Sequence, residues 1–413
     1  MHTELTPSGL GTAQPRGRAF TAGLLALAVL PLAFVHYLAF GLRLSGWAWL
    51  ITAVVITPVV LFEPLRPQAV RILLLYLLYA VYALFTLIWA PDLFQALLTY
   101  MQIVLFAVVY LLAWRIRDLP RFLRALPPAA LYCIGAASLI TLVTLGGRRL
   151  VGPFEMSVRP TAMGLVILFI VVGIRVRSWR MLTVIGAITF AIILFTGSRM
   201  AAAALVPVLL THPSLMANRP RWLTIVSGLI LTVLALSSTQ AFQERFFFSD
   251  DASLRDVITL SDNLNTAGRR ELWPVLIREC SASPILGNGV GAGAVYSTEL
   301  SDEILGHPHN EFIRVYCDTG LIGTALLWGF FLTVAVRNYH ALRQGGDTRL
   351  HTAALQCIAV LAVLAVTDNP LVYTALFMTP IALVLGLADH ADAMRRRTDP
   401  MPRTPIEPLA VPR

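Results

Sequence analysis

The sequence predicts an all-α polytopic membrane protein with about twelve transmembrane helices and a large, partly helical loop between the ninth and the tenth. Hydrophobic residues make up 57% of the 413-residue chain and charged residues only 13%, and the mean hydropathy is +0.72. These values lie far outside the range of globular proteins and are typical of a chain whose main solvent is lipid.

Apolar runs recur at about the length of 20 residues that crosses a bilayer. The twelve runs lie at residues 20–41, 45–62, 70–90, 94–114, 128–145, 160–175, 180–197, 199–212, 221–238, 320–337, 352–368 and 370–388. The eighth is short, and only a few residues separate it from the seventh. The first run lacks a small-residue cleavage site, so we expect an anchor helix rather than a removable signal peptide.

The distribution of arginine predicts the orientation of these helices. Arginines cluster on alternate connections, and connections of this kind face the cytoplasm. We therefore expect a cytoplasmic tail (1–19), helices 1–9 (20–238), an outer loop (239–319), helices 10–12 (320–388) and a second cytoplasmic tail (389–413). The net charge of +9 comes from arginines dispersed among apolar runs without a basic stripe, which argues against nucleic acid as a partner.

Two of the four cysteines are candidates for a disulfide bond. Cys133 and Cys357 lie inside apolar runs, where a thiol packs as a small hydrophobe. Cys280 and Cys317 both fall in the outer loop, where a disulfide can form. Two unpaired thiols remain an equal alternative at this point.

The segment 307–323 is the first candidate for chemistry, because it carries polar groups directly before an apolar helix. Pro308 favours the first turn of a helix and Gly320 a stop. His309 would then lie near a helix N-terminus, whose positive dipole disfavours imidazolium and leaves a competent base. Asn310 could orient the imidazole or a substrate. The alternative is an interfacial histidine bonded to water and a carbonyl group.

A metal site is not expected here. His307 and His309 are two residues apart and could share an ion, but a closed zinc site needs about four ligands, and the loop has no further histidine and no carboxylate pair of the Asp-x-Asp type. We therefore predict neither a metal nor another cofactor. Asp368, in the turn before the last apolar run, could pair with an arginine, orient His309, or only cap the turn.

Several arginines on the outer side indicate an anionic ligand. Arg199 lies between two apolar runs, where an ionisable residue is costly and marks a candidate functional site; the alternative is snorkelling to lipid headgroups. The guanidinium fork matches phosphate and pyrophosphate oxygens and keeps its charge. A membrane-embedded pyrophosphate points to a polyprenyl carrier, and the arginines on the outer side include Arg159, Arg269, Arg270 and Arg314.

These residues resemble the O-antigen ligase and O-antigen polymerase superfamily of bacterial inner-membrane glycosyltransferases. The resemblance rests on His309-Asn310 followed by Gly320, on the stretches 268–273 and 283–289, and on Ser198-Arg199. The matches cluster at about 196–200 and 268–323, although order and topology agree over most of the chain. The entry to the sixth helix around Arg159 matches only loosely, which leaves the role of that arginine open.

The resemblance implies a metal-independent, inverting transfer of a glycan from undecaprenyl pyrophosphate to an acceptor hydroxyl on the periplasmic face. His309 would be the base, Arg199 and Arg269 would bind the pyrophosphate, and Asn310, Arg270, Arg314, Arg159, Trp273 and Asp368 would contact the substrates. A ligase would use lipid A-core as acceptor, whereas a polymerase would extend a lipid-linked glycan with the same residues. The alternative from another class is a polyprenyl-glycan flippase, but a transporter would place its ionisable residues along the bilayer midplane.

Overall fold

The computed structural model describes residues 17–40, 42–62, 64–144, 155–216, 269–301 and 306–398, together with 220, 222–224 and 226–228. The helices are α1 (Arg18–Ala28), α2 (Leu44–Leu61), α3 (Pro67–Thr86), α4 (Leu93–Ala113), α5 (Leu119–Val143), α6 (Val158–Gly173), α7 (Trp179–Thr196), α8 (Arg199–Thr211), α9 (Pro213–Met216), α10 (Arg269–Cys280), α11 (Ala292–Leu300), α12 (Glu311–Arg343), α13 (Thr348–Ala365) and α14 (Thr379–Thr398).

Short irregular helices and four two-residue strands complete the described structure. The 3₁₀ turns are Leu30–Phe34, Leu87–Trp89 and Pro370–Val372, and a π turn, Thr374–Met378, leads into α14. The strands are β1 (Val35–His36), β2 (Leu38–Ala39), β3 (Leu42–Arg43) and β4 (Glu155–Met156). They form two antiparallel pairs, β1 with β4 and β2 with β3.

The structure confirms the predicted all-α polytopic membrane fold. In the described part of the chain, eight helices are long and apolar enough to cross a membrane. Three shorter apolar helices occupy the positions of the first, sixth and eighth predicted runs: Arg18–Phe34, Val158–Gly173 and Arg199–Thr211. Most of the ninth run, 221–238, and the adjoining loop up to residue 268 lie outside the described residues.

Several helix boundaries differ from the hydropathy pattern, among them the start of α5 and the end of α14. Helix α5 begins at Leu119 rather than at 128, because Asp118 caps its N-terminus by accepting a hydrogen bond from the Arg121 backbone N–H at 3.1 Å. Helix α14 continues to Thr398, past the predicted end at 388. In both cases the added segment contains arginines, which lower its mean hydropathy below that of the apolar run it extends.

Arginines of the alternate connections lie together at one end of the helices. Arg115 donates to the Pro64 carbonyl at 2.5 Å, Arg349 donates to the Ser214 hydroxyl at 3.3 Å, and Arg395 donates to the Gln344 carbonyl at 2.9 Å. We call this end the arginine-rich end. The connections 87–92, 306–310 and 366–373 lie at the other end, which we call the His309 end.

Helices α6 and α14 form the centre of the bundle. Every residue of α6 from Thr161 to Gly173 is buried, as expected for a helix that is apolar on all sides. Gly386 lets α14 approach α4 closely, since an added Cβ would lie 2.5 Å from the carbonyl oxygen of Tyr110. This packing brings the connection before α14 next to the start of α6, where the His309 site is formed.

Helix α12 is broken at Gly320, which confirms the predicted stop. Gly320 has φ 60° and ψ −163°, and an added Cβ would collide with the carbonyl group of Ile285. The break leaves backbone N–H groups without intrahelical partners. Two of these N–H groups donate to the loop that precedes α11. Leu321 donates to the carbonyl of Pro284 at 2.9 Å, and Ile322 donates to the carbonyl of Ile285 at 3.3 Å.

A disulfide bond joins α10 to the first part of α12. It links Cys280 and Cys317, whose Cα atoms are 4.8 Å apart, and this settles the alternative left open by the sequence. The side chain of Asn288 donates to the carbonyl of Cys280 at 2.9 Å. Helix α10 is therefore fixed covalently against the helix that follows His309.

Candidate functional site

The segment 306–310 lies between three elements at the His309 end. Trp273 of α10 donates its indole N–H to the carbonyl of Pro308 at 2.7 Å. The backbone N–H of His309 donates to the Asn369 side chain at 2.7 Å, and the Asn310 side chain donates to the carbonyl of Val366 at 3.1 Å. These bonds hold the segment between α10 and the connection from α13 to α14.

His309 precedes helix α12 rather than forming its first turn. The helix begins at Glu311, and Asn310 is its N-cap, accepting a hydrogen bond from the Ile313 backbone N–H at 3.1 Å. His309 has φ 51°, in the left-handed region that few non-glycine residues occupy. The prediction of a first-turn histidine was wrong, because Asn310 is the better capping residue and starts the helix after itself.

The imidazole of His309 is held between a carboxylate and a guanidinium. Its Nδ1 lies 3.2 Å from Oδ1 of Asp368, and its Nε2 lies 3.2 Å from a terminal nitrogen of Arg159. A carboxylate only accepts and a guanidinium only donates. These partners assign the proton to Nδ1 and the lone pair to Nε2, where it accepts from Arg159.

Asp368 is a buried and ionised orienting group. Its Oδ1 also accepts from the Asn369 backbone N–H at 2.8 Å and from the Tyr373 hydroxyl at 3.3 Å. Burial raises the pKa of the Asp368 carboxyl, but the hydrogen bond and the charge of His309 outweigh burial and hold the pKa below its usual value. Asp368 therefore orients His309, as one of the sequence alternatives proposed.

Arg269 is the second cation of the site. Its Nε is buried and has no hydrogen-bond partner in the described part of the chain. Burial lowers the pKa of the guanidinium; the charge of Asp368 opposes this shift, and the charge of Arg159 adds to it. Arg159, Arg269 and Asp368 thus lie close enough to affect one another, and Arg269 has unused donor capacity in a buried place.

Arg314 and Asn310 are both engaged by the protein itself. The guanidinium of Arg314 forms ion pairs with Glu311 and, at 3.0 Å, with Asp318. Glu311 in turn accepts from the Leu371 backbone N–H at 3.2 Å. This buried network fixes the first part of α12, and Asn310 caps the same helix.

The structure places Arg199 at the His309 end but does not describe the side chain of Arg270. Arg199 is the first residue of α8, is partly buried, and lies at the end of α8 opposite to His212. His212 contacts the carbonyl of Gly173 at the arginine-rich end, so Arg199 lies at the His309 end. The side chain of Arg270 lies outside what the structure describes.

Sequence reasoning missed Tyr373 and Asn369. Tyr373 donates to Asp368 from an otherwise apolar run, and Asn369 receives the backbone N–H of His309. The only sequence signal was the polar turn Asp368-Asn369-Pro370 before the last helix. No group of three or more His, Cys, Asp or Glu side chains that could hold a metal ion occurs within the described ranges.

Fold and site together define a multi-pass membrane protein with a carboxylate-bound histidine beside arginine side chains at one end of its helices. A family model described as O-antigen ligase (Wzy_C) matches residues 184–328. This match confirms the resemblance to the O-antigen ligase superfamily and supports an activity of the ligase or polymerase type, with a lipid-linked glycan donor and a lipid acceptor. No curated protein matches the chain.

The matched region includes three predicted catalytic residues, Arg199, Arg269 and His309. Arg159 and Asp368 lie outside it, although both contact the imidazole of His309. The site is thus built partly from residues beyond the matched region.

Proposed function

We propose that this protein is an O-antigen-ligase-type glycosyltransferase that moves a glycan from undecaprenyl pyrophosphate to a hydroxyl group of lipid A-core, with inversion and without a metal. One observation carries the proposal: the imidazole of His309 lies 3.2 Å from both Asp368 and Arg159. A base oriented by a carboxylate and placed beside permanent cations suits a reaction that removes a proton and releases a diphosphate.

The proposed step assigns a role to each group. The acceptor hydroxyl gives its proton to Nε2 of His309 while its oxygen bonds to the anomeric carbon from the face opposite the diphosphate. The bond between the anomeric carbon and the phosphate oxygen breaks, and undecaprenyl pyrophosphate leaves with the electron pair. Asp368 stabilises the imidazolium that forms, and Arg199 and Arg269 bind the negative charge of the leaving group.

Arg159 connects the two halves of this step. Without substrate its guanidinium occupies the lone pair of the His309 base, at 3.2 Å. A diphosphate is a stronger partner for a guanidinium than a neutral imidazole. Donor binding therefore draws Arg159 away and exposes the base only when a leaving group is present.

We further propose that the His309 end faces the periplasm and that the protein lies in the bacterial inner membrane. Arginine-bearing connections collect at the opposite end, which is the cytoplasmic side under the positive-inside rule. The disulfide between Cys280 and Cys317 supports the same orientation, because such bonds persist in the periplasm and are rare in the cytoplasm.

A polymerase is the second candidate, because the family match covers both activities and the same groups would serve a growing lipid-linked glycan as acceptor. Glycan profiling of a deletion strain separates the two. Loss of surface-attached polymer with accumulation of lipid-linked chains indicates a ligase, whereas single repeat units on lipid A-core indicate a polymerase.

The direct test uses the purified full chain in lipid nanodiscs with the lipid-pyrophosphate glycan, acceptor and a chelator. We expect release of undecaprenyl pyrophosphate, and we expect His309→Ala to lower the rate by at least about 100-fold. The matched control is His340→Ala, which removes an exposed histidine near the other end of α12. Full activity of His309→Ala, or a strict need for metal, would contradict the mechanism.

A further inference from the structure

A cavity of about 530 Å³ with both polar and apolar lining residues lies next to the His309 site and has no role in the step above. Its wall includes His307, Tyr373 and Pro160. Tyr373 donates to Asp368, and the other two are near neighbours in sequence of His309 and Arg159. The cavity therefore shares a wall with the proposed catalytic groups, and its volume falls in the range of about 300–1,000 Å³ of small-molecule sites.

One face of helix α4 supplies amide and hydroxyl groups to this cavity. Gln95, Thr99 and Gln102 all contribute to the lining, and their spacing of four and three residues places them on one side of the helix. Thr99 bonds the carbonyl of Gln95 at 2.9 Å. Among the residues that the structure describes, neither glutamine amide has a hydrogen-bond partner of its own.

Other residues of the wall add an imidazole and an indole. Nδ1 of His307 is buried and lacks a hydrogen-bond partner within the described ranges, which is costly unless a ligand supplies one. Burial lowers the pKa of His307 to about 4, and the charge of Arg314 adds to this shift, so the ring is neutral at neutral pH. Trp49 also lines the cavity and offers a flat apolar face with a polar edge.

The charges of the wall favour a largely neutral ligand. Arg314 and Asp318 line the cavity but are ion-paired with each other at 3.0 Å. Arg43 of strand β3 adds one guanidinium to the lining. The diphosphate-binding arginines Arg159 and Arg269 are not part of this lining. The chemistry of the cavity thus differs from that of the cationic side of the site.

We infer that this cavity is a carbohydrate subsite, in which the amides of Gln95 and Gln102 and the imidazole of His307 hydrogen-bond the hydroxyl groups of a pyranose. An amide both donates and accepts, and so does a neutral imidazole, which matches hydroxyl groups that do the same. The apolar face of the sugar packs on Trp49. The inference rests on the proposed glycosyl transfer for its choice of ligand, and the sugar belongs either to the donor glycan or to the acceptor glycan.

The test measures binding rather than turnover, by isothermal titration of the full chain in nanodiscs. One probe is the core oligosaccharide freed from lipid A by mild acid, and the other is the repeat-unit oligosaccharide freed from its undecaprenyl pyrophosphate, both from the source bacterium. We expect one probe to bind the wild type, and Gln102→Leu to weaken that binding by about tenfold or more, because a sugar hydroxyl loses its partner. The probe that binds identifies the source of the sugar.

Two further variants make the result specific. Gln95→Leu, two turns earlier on the same face of α4, should weaken binding as Gln102→Leu does. Gln68→Leu, in the first turn of α3 and outside this cavity, should bind like the wild type. Thermal midpoints near that of the wild type show that each variant is folded.

Failure of this inference and failure of the proposed function are distinguishable. Binding of neither oligosaccharide, or equal binding by Gln102→Leu and the wild type, overturns the carbohydrate subsite even if glycan transfer proceeds. If an oligosaccharide binds, Gln102→Leu weakens that binding and the protein transfers no glycan, then the subsite stands and the proposed reaction is wrong. His309→Ala should bind the oligosaccharide while losing transfer.

Discussion

Replacing Asp368 by asparagine tests the orientation of the proposed base. Oδ1 of Asp368 accepts from His309, Asn369 and Tyr373, and an asparagine oxygen can accept the same bonds. The variant should therefore fold normally and lose only the negative charge. That charge is needed when His309 takes a proton and becomes an imidazolium.

The expected loss follows from the distance between the two groups. At the 3.2 Å that separates Nδ1 from Oδ1, unit charges interact by about 5 kcal/mol at an effective dielectric constant of about 20. If the whole interaction is lost, kcat falls by about 4,000-fold, since about 1.4 kcal/mol corresponds to a factor of ten. If the imidazole carries half of its positive charge in the transition state, kcat falls by about 60-fold, so we expect a loss between these limits.

The assay is release of undecaprenyl pyrophosphate by the purified protein, with KM for both substrates measured alongside kcat. Asp347→Asn is the matched control: Asp347 is an exposed N-cap of α13, and asparagine caps a helix equally well. A loss of less than about tenfold in a folded Asp368→Asn protein would refute the role given to this carboxylate.

Three more predictions address other parts of the site. The double variant Cys280→Ser, Cys317→Ser opens a loop of 37 residues and should lower the free energy of unfolding by up to about 4 kcal/mol, measured as a lower thermal midpoint that no longer responds to reductant; an unchanged midpoint would contradict it. The pKa of His307 is about 4 in the folded protein and about 6.5 in the unfolded chain. Between these values the unfolded state binds more protons, so stability should fall as the pH drops from about 6.5 to about 4. The thermal midpoint of His307→Gln should therefore depend less on pH than that of the wild type. Arg269→Lys loses the bidentate fork and should weaken inhibition by added undecaprenyl pyrophosphate by about tenfold, whereas Arg278→Lys, at an exposed position of the same helix, should not.

Composition and hydropathy predicted the helices well but their ends less well. The positions of eleven apolar runs correspond to described helices, because the need to satisfy every backbone group in lipid leaves few alternatives to a helix. The start of α5 escaped detection because Arg121 and Arg124 interrupt its otherwise apolar first turns. The start of α12 was misplaced because the pattern around Pro308 suggested a helix before Asn310, which caps it.

For the site, the sequence identified residue types but not their pairings. His309, Arg269 and Asp368 were singled out, yet three roles remained open for Asp368, and Arg159 was predicted only to contact a substrate. These residues are far apart in sequence: 150 positions separate Arg159 from His309 and 59 separate His309 from Asp368. No local sequence pattern encodes such pairs. Nothing in the sequence distinguished Tyr373 or the glutamines of α4 from other residues of apolar runs.

By itself the amino-acid sequence determined that this chain crosses a membrane repeatedly and that it carries a histidine and arginines characteristic of one family, because hydropathy and short motifs are local properties. Only the tertiary structure decided that Asp368 and Arg159 meet at opposite nitrogens of His309, that Arg314 is committed to Glu311 and Asp318, and that Cys280 bonds to Cys317. The physical reason is that charge pairing depends on distances of a few ångströms, and helix packing sets those distances.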